Sequence, residues 1–185
     1  MSRVPVREAL ARLEREGLAA SPHRGYVVTA LSGDEIEELF DLRATLEPEL
    51  LKAAIPRMTS ADLGAAAAEL AAYNEDIDKA DVASWGEHNL RFHMALYAPS
   101  GRRRTLDIVR GLLINTDRYT RLVLTLGAGV NLAKDDHGGL FDLCKAGAVT
   151  QAIALARDHI ERARSDLRHL LEKDRQQQAA AIHPS

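Results

Sequence analysis

The sequence predicts an all-α protein whose body is an antiparallel bundle of helices. Aromatic residues make up only 4% of the chain and there are six prolines, while side chains that are not branched at Cβ, such as Leu, lose little rotamer freedom in helices. Apolar residues recur at helical spacing, as in Leu39, Leu42, Leu46 and Leu50. Short turns rich in Pro or Gly separate these segments, and short connections favour antiparallel neighbours.

The first 30 residues differ from this body. Residues 4–16 predict a helix with an apolar face formed by Val6, Leu10 and Leu13. Residues 18–21 and 26–29 then predict two short strands around the Pro22-His23-Arg24-Gly25 turn. A helix followed by a basic-tipped hairpin is typical of the end of a winged helix, so we interpret this segment as a partial winged helix.

Six helices are predicted in the rest of the chain. They cover about residues 32–55, 60–74, 81–98, 102–124, 132–146 and 150–173. Ser32 and Glu35 have the spacing of a capping box that begins the first of them, and Pro48 is expected to bend it. The end of the chain lacks apolar periodicity, so residues 176–185 are predicted to be a disordered tail.

Charge and cysteine content restrict the class of protein. Residues 1–30 carry a net charge of +2 and the remainder −5, so a basic head precedes an acidic body. No stretch approaches the roughly 18 uncharged apolar residues of a membrane helix, and the N-terminus, with Arg3, Arg7 and Glu8, lacks the apolar core of a signal peptide. Cys144 is the single cysteine, as expected in a reducing compartment. We therefore expect a cytoplasmic protein without a membrane partner.

Several segments resemble a known family. SRVPVREALARLEREGL followed by HRGYVV resembles the recognition helix and wing of GntR-family bacterial transcription regulators. LRATLEPELLKAA, NLRFHMALY and DHGGLFDLCKAGAVTQAIALARDHIERA resemble the FCD ligand-binding domain of the FadR-type branch. The resemblance implies a partial winged-helix DNA-binding domain at 1–30 and an FCD-like helical effector-binding and dimerisation domain at 31–175, before the tail at 176–185.

The resemblance also implies DNA-contacting residues in the head. These are Ser2, Arg3, Arg7, Arg24 and Gly25. Arginines at the start of such a helix can reach guanine edges and phosphates, although a solvated basic face is the alternative interpretation of the same pattern. Met1 stands where the family has an interior residue of its DNA-binding domain. We therefore expect either an upstream continuation of the reading frame or a truncated regulator.

Four polar residues of the body form a candidate metal site. Asn89 and His93 are four apart, hence on one helix face, and His137 and His159 lie on two later helices. Spacing alone leaves open a divalent-metal site or a set of buried, hydrogen-bonded histidines. Three imidazoles and an oxygen suit a divalent transition metal such as zinc or nickel. The resemblance implies such a metal site, with Asn89 in place of the usual Asp. An amide in place of a carboxylate makes the site more positive, which weakens metal binding and favours an anionic ligand.

Arg43 is the candidate effector-binding residue. The matching segment of relatives supplies an arginine to the effector pocket, and a guanidinium can bind a carboxylate through two hydrogen bonds. A salt bridge to Glu47, one helical turn away, is the alternative.

The resulting prediction is an effector-responsive transcription regulator, not an enzyme. Its expected partners are operator DNA, a small organic carboxylate and a second copy of itself. Two other hypotheses remain: a metal-dependent hydrolase or lyase built on the three histidines, and a truncated dimerisation module without DNA binding. The hydrolase requires a general base near the metal, for which Asp136 and Glu87 are the weak candidates.

Overall fold

The computed structural model covers most of the chain, and its described part contains seven helices and one hairpin. The described residues are 3–15, 18–22, 25–29, 33–79, 82–125 and 130–182. Within them the all-α prediction is confirmed, because the body is helical throughout apart from its short connections.

The N-terminal segment is a helix followed by a hairpin. Helix α1 spans Arg3–Arg15, and strands β1 (Ala19–Ala20) and β2 (Val27–Val28) pair antiparallel. Each strand has two residues rather than the four expected. Gly25 lies in the intervening turn with φ of 78°, a left-handed conformation that glycine adopts without steric cost.

Six helices form the body, close to the predicted positions. They are α2 (Gly33–Ala54), α3 (Ser60–Asp78), α4 (Val82–Tyr97), α5 (Arg103–Thr125), α6 (Val130–Lys145) and α7 (Val149–Ile182). Short 3₁₀ turns follow α2 at Ile55–Arg57 and α4 at Ala98–Ser100. Thr59 begins α3 with a capping box, in which its hydroxyl accepts a hydrogen bond from the backbone N–H of Asp62.

Three local expectations have different outcomes. The tail prediction is wrong for residues 176–182, which continue α7 to Ile182, since Gln and Ala are good helix formers even without an apolar face. Pro48 lies buried inside α2, which remains assigned as one helix across it. Ser32 and residues 183–185 lie outside the described residues, so neither the capping box with Glu35 nor the last part of the tail is tested.

The main core lies between the six helices α2 to α7. Its largest wholly buried side chains include Leu50, Leu51, Phe92 and Leu140. Burial of such side chains stabilises the bundle by roughly 1.5–3 kcal/mol each. Among the described residues, no helix combines the length and the apolar character needed to cross a membrane.

Glycine permits the close approach of α4 and α5 that leads into the site. A Cβ on Gly86 would lie 1.8 Å from Oδ1 of Asp117, far inside van der Waals contact. The Asp117 carboxylate therefore packs directly on the α4 backbone, two helical turns before His93.

Candidate metal centre

Three histidines from three different helices meet inside the bundle. His93 comes from α4, His137 from α6 and His159 from α7. Their ring centroids are separated by 5.0 Å (His93–His137), 4.9 Å (His137–His159) and 5.8 Å (His93–His159). One nitrogen from each ring lies within 4.8 Å of the others. The structure thus brings together the three histidines that the sequence predicts as ligands.

Aromatic rings enclose two of these histidines. The Phe92 ring lies 5.4 Å from His93 and 5.2 Å from His137, and Tyr73 meets His137 edge-on at 4.9 Å between centroids. His93 and His137 are consequently 1% and 2% exposed. Imidazoles in such an environment pay a desolvation cost if they carry charge.

Burial keeps the imidazoles of His93 and His137 neutral. Desolvation, followed by the nearby charges of the other histidines and of Arg43, lowers the pKa of His93 well below its ordinary value. Burial likewise lowers the pKa of His137, with His159 and Arg43 acting in the same direction and Asp136 opposing. Neutral imidazole is the form that binds a metal, because its ring nitrogen then carries a lone pair.

Ring nitrogens in the cluster lack hydrogen-bond partners. Within the described part of the chain, none is found for Nε2 of His93 or for either ring nitrogen of His137. A buried polar atom without a partner costs about 1–3 kcal/mol. Ligands at about 2.1 Å from a tetrahedral zinc ion lie roughly 3.4 Å apart, and the three ring nitrogens here all lie within 4.8 Å of one another. The residues present therefore fit a divalent transition metal.

A buried hydrogen-bonded chain extends from His93. Its Nδ1 lies 3.2 Å from the hydroxyl of Tyr97, which donates a 2.6 Å hydrogen bond to Glu47. Glu47 also accepts a 2.7 Å hydrogen bond from Nε of Arg43, and the same guanidinium lies 3.3 Å from the Thr116 hydroxyl. Burial, then the charge and hydrogen bond of Glu47, raises the pKa of Tyr97 well above its ordinary value. We call His93, Tyr97, Glu47 and Arg43 the inner chain.

A shorter chain supports His159. Its Nδ1 lies 3.1 Å from the Asp136 carboxylate, whose other oxygen accepts a 2.6 Å hydrogen bond from Arg162. Burial raises the pKa of Asp136, but the hydrogen bonds from His159 and Arg162 outweigh it, and the net shift is downward. We call these three residues the outer chain, because the Arg162 side chain is 37% exposed.

The remaining predicted body residues lie nearby. Asn89 is on α4, one turn before His93, and is half-buried. Arg43 is buried and paired with Glu47 at 2.7 Å, so the salt bridge weighed as its alternative role is present. The charge of Arg43 lowers the pKa of both His93 and His137. The ion-paired guanidinium is linked to His93 through Glu47 and Tyr97.

The predicted DNA-contacting residues are only partly described. Ser2 and Arg24 lie outside the described residues. Arg3 begins α1, Arg7 is exposed on the same helix, and Gly25 lies in the hairpin turn.

The candidate groups for an enzymatic reaction are already paired or buried. Asp136 is bound to His159 and Arg162, and Glu87 is an exposed residue paired with Arg91. Cys144 is 2% exposed, and burial raises the pKa of its thiol to about 12, which excludes a nucleophilic thiolate at neutral pH.

Sequence reasoning missed the residues that support the histidines. Tyr97 is four residues after His93, the spacing that places two side chains together on a helix, and this signal could have identified it. Glu47 was recognised only as a partner of Arg43, and Asp136 only as a weak candidate base. Their contacts with Tyr97 and His159 join separate helices, and sequence spacing gives no measure of such distances.

Comparison with known proteins identifies the family. Residues 38–162 match the model of the FCD domain, so the chain belongs to the FCD-domain family. It is 31% identical to a GntR-family transcriptional regulator from Pseudomonas syringae pv. tomato whose structure is solved, with a TM-score of 0.70 over 96% of this chain and 74% of that one. The predicted resemblance to GntR-family regulators with an FCD domain is confirmed.

Curated relatives are regulators as well. The chain is 35% identical over 107 residues to an HTH-type transcriptional regulator encoded in the TAR-I ttuE-ttuC' intergenic region of Agrobacterium vitis, covering 53% of this chain and 60% of that protein. It is 31% identical over 140 residues to the HTH-type transcriptional repressor GlaR of Escherichia coli K12, covering 72% and 63%. The chain thus spans less than two thirds of the length of these relatives. The family consists of transcriptional regulators, not enzymes.

Proposed function

We propose that this chain belongs to an effector-responsive transcription regulator in which a divalent transition metal helps to bind a small organic carboxylate. His93, His137 and His159, with Asn89 beside them, would hold the metal; zinc and nickel are the ions best matched to imidazole ligands. The observation that carries the proposal is a set of buried ring nitrogens that find no hydrogen-bond partner among the described residues, in a chain of this family. Arg43 is linked to the same histidines through Glu47 and Tyr97.

Electrostatics favour an anionic ligand. The proposed ligands are three neutral imidazoles and one amide, so none of them offsets the charge of a divalent ion. Glu47 and Asp136 are the carboxylates of the two chains, and each is paired with an arginine. A carboxylate at an open coordination position would supply the missing negative charge.

Arg43 would provide the second attachment point for the carboxylate. Its Nε is bound to Glu47, and a guanidinium has five N–H donors in all. A small acid would thus contact the metal and Arg43 together. Such a contact can act on the bundle only if the acid binds one conformation of the protein better than another.

Calorimetry with citrate and acetate tests the carboxylate pocket. The zinc-loaded chain should bind citrate, and removal of the metal by a chelator should abolish that binding. His137→Ala should behave like the metal-free chain, whereas His169→Ala, which alters an exposed histidine of α7, should bind as wild type. Succinate is titrated in the same way. The proposed pocket is contradicted if none of the three acids binds the zinc-loaded chain, or if they bind the metal-free chain equally well.

We also propose that the protein binds a palindromic operator as a homodimer in the cytosol, with residues of α1 and the hairpin facing DNA. Arg7 is exposed on α1, and an arginine that reads a base contributes about 1–3 kcal/mol. The full-length protein is first used to select a DNA duplex from a random-sequence library. Arg7→Ala should then weaken the binding free energy for that duplex by the same amount. Arg157→Ala, on an exposed face of α7, is the matched control. Equal affinity of wild type and Arg7→Ala would contradict the assignment.

A further inference from the structure

The inner chain has a definite direction of hydrogen bonding. Glu47 faces the Arg43 guanidinium at 2.7 Å and Tyr97 at 2.6 Å, and an ionised carboxylate can only accept hydrogen bonds. Tyr97 therefore donates its one hydroxyl proton to Glu47. The hydroxyl oxygen remains as an acceptor towards His93.

This direction determines the tautomer of His93. Since the Tyr97 oxygen accepts, Nδ1 of His93 must carry the ring proton and donate across the 3.2 Å separation. A neutral imidazole has one protonated nitrogen, so Nε2 then carries the lone pair. Nε2 is also the His93 nitrogen without a partner among the described residues.

We infer that Tyr97, anchored by Glu47, is a positioning residue that fixes His93 in the Nδ1–H tautomer and so presents Nε2 as a metal ligand. The inference rests on the proposed metal centre for its purpose, but the tautomer itself exists with or without a metal. Partners of this kind, on the ring nitrogen away from the metal, typically change metal affinity by about 10–100-fold when removed.

The inner chain also links His93 to Arg43. Glu47 accepts hydrogen bonds from both Tyr97 and Arg43, so it joins the metal-facing histidine to the proposed carboxylate-binding arginine through one side chain. Tyr97 and Arg43 thus share one buried acceptor. Removing the Tyr97 hydroxyl therefore breaks the inner chain while leaving the charges of Glu47 and Arg43 in place.

Nitrogen-15 NMR of the metal-free chain, labelled at histidine, tests the tautomer directly. The two ring nitrogens of a neutral histidine have very different shifts depending on which is protonated, and comparison with His93→Gln assigns the signals. We expect wild-type His93 to be the Nδ1–H form. A wild-type His93 protonated at Nε2 would overturn the inference, and this measurement needs no folded Tyr97 variant.

Tyr97→Phe, compared with Tyr73→Phe, tests the positioning role. Tyr73 is also buried and also touches a cluster histidine, but through its ring edge. Tyr97→Phe should shift His93 towards the Nε2–H form and weaken zinc binding by about 10-fold or more. Tyr73→Phe should retain the wild-type tautomer and bind zinc within about 3-fold of wild type. If Tyr97→Phe keeps the Nδ1–H form, or binds zinc as tightly as Tyr73→Phe, Tyr97 does not position His93.

The two proposals fail in different ways. If wild type shows the Nδ1–H tautomer but binds no zinc, nickel or cobalt, the metal centre is overturned, and with it the purpose assigned to Tyr97. If wild type binds zinc but His93 is protonated at Nε2, the metal centre stands and the role of Tyr97 is overturned.

Discussion

The inner and outer chains support two histidines of one site in different surroundings. In both, a ring Nδ1 faces an oxygen, and an arginine lies at the far end. The inner chain inserts a tyrosine between ring and carboxylate and is buried throughout. The outer chain places the carboxylate directly against His159 and ends at a partly exposed arginine.

Two similar hydrogen-bond patterns can therefore contribute differently to the free energy of unfolding. An ion pair inside the bundle is stabilised by a low local dielectric, but loss of one partner leaves a buried charge. The carboxylate of the outer chain is also buried, with Asp136 8% exposed, but the Arg162 guanidinium that pairs with it is partly screened by water. We therefore expect the inner chain to matter most for folding, and both chains to matter for metal affinity.

The largest expected effect is the loss of stability when the inner arginine is removed. Arg43→Met leaves the Glu47 carboxylate buried with Tyr97 as its remaining partner in the inner chain, and should lower the free energy of unfolding by about 3–5 kcal/mol. Arg162→Met, the matched change in the outer chain, should cost less, because the guanidinium that it removes is 37% exposed and Asp136 keeps His159 as a partner. Urea denaturation of the metal-free variants measures both values. Equal losses would show that burial does not distinguish the two chains.

The next effect concerns the outer chain and metal affinity. Asp136→Ala removes the acceptor that holds Nδ1 of His159, and should weaken zinc binding by about 10-fold or more. Asp135→Ala removes a carboxylate from the neighbouring, exposed position of α6 and serves as the control. Competition with a zinc-binding dye gives both affinities. Similar zinc affinities for the two variants would show that the outer chain does not support metal binding.

A smaller change in the ligand set should alter the balance between metal and carboxylate. Asn89→Asp adds a negative charge one turn from His93, and should raise zinc affinity while weakening citrate binding, each by about 10-fold, equivalent to roughly 1.4 kcal/mol. Gln151→Glu adds the same charge at an exposed position of α7. Calorimetric titration of the two variants should separate a local effect from one of total charge. If Asn89→Asp strengthens or preserves citrate binding, the electrostatic argument is wrong.

The smallest effect is expected at Cys144, which belongs to neither chain. Its pKa is raised to about 12 by burial, so the thiol remains protonated from neutral pH up to about pH 10. The native chain should not react with a thiol reagent at pH 8, and the denatured chain should react at one site. Rapid reaction of the native chain would show that this part of the core opens more readily than its burial indicates.

Much of the fold is predictable from this sequence because helical periodicity is strong in the body. The six body helices and the hairpin lie close to their expected positions. The errors lie at two helix ends: α3 extends past Asn74 to Asp78, and α7 continues to Ile182. The added turn of α3 brings Ile77 into a core cluster with Tyr73 and Trp85, whereas Gln and Ala at the end of α7 favour helix by intrinsic propensity.

The candidate site is predictable in its ligands but not in its supports. His93, His137 and His159 were selected by helical spacing and resemblance, and the packing of α4, α6 and α7 brings them together. The contacts Tyr97–Glu47 and His159–Asp136 join residues 50 and 23 positions apart. They depend on side-chain rotamers across helix interfaces, for which the sequence carries no local signal.

Zinc-edge X-ray absorption of the zinc-loaded wild-type chain tests the central claim most directly, because it reports the atoms bound to the metal. Three histidines in this arrangement predict three imidazole nitrogens at about 2.0–2.1 Å, with further oxygen or nitrogen donors completing the shell and no sulfur. Zinc bound by fewer than three imidazoles, zinc bound by sulfur, or a chain that retains no zinc would contradict the metal centre.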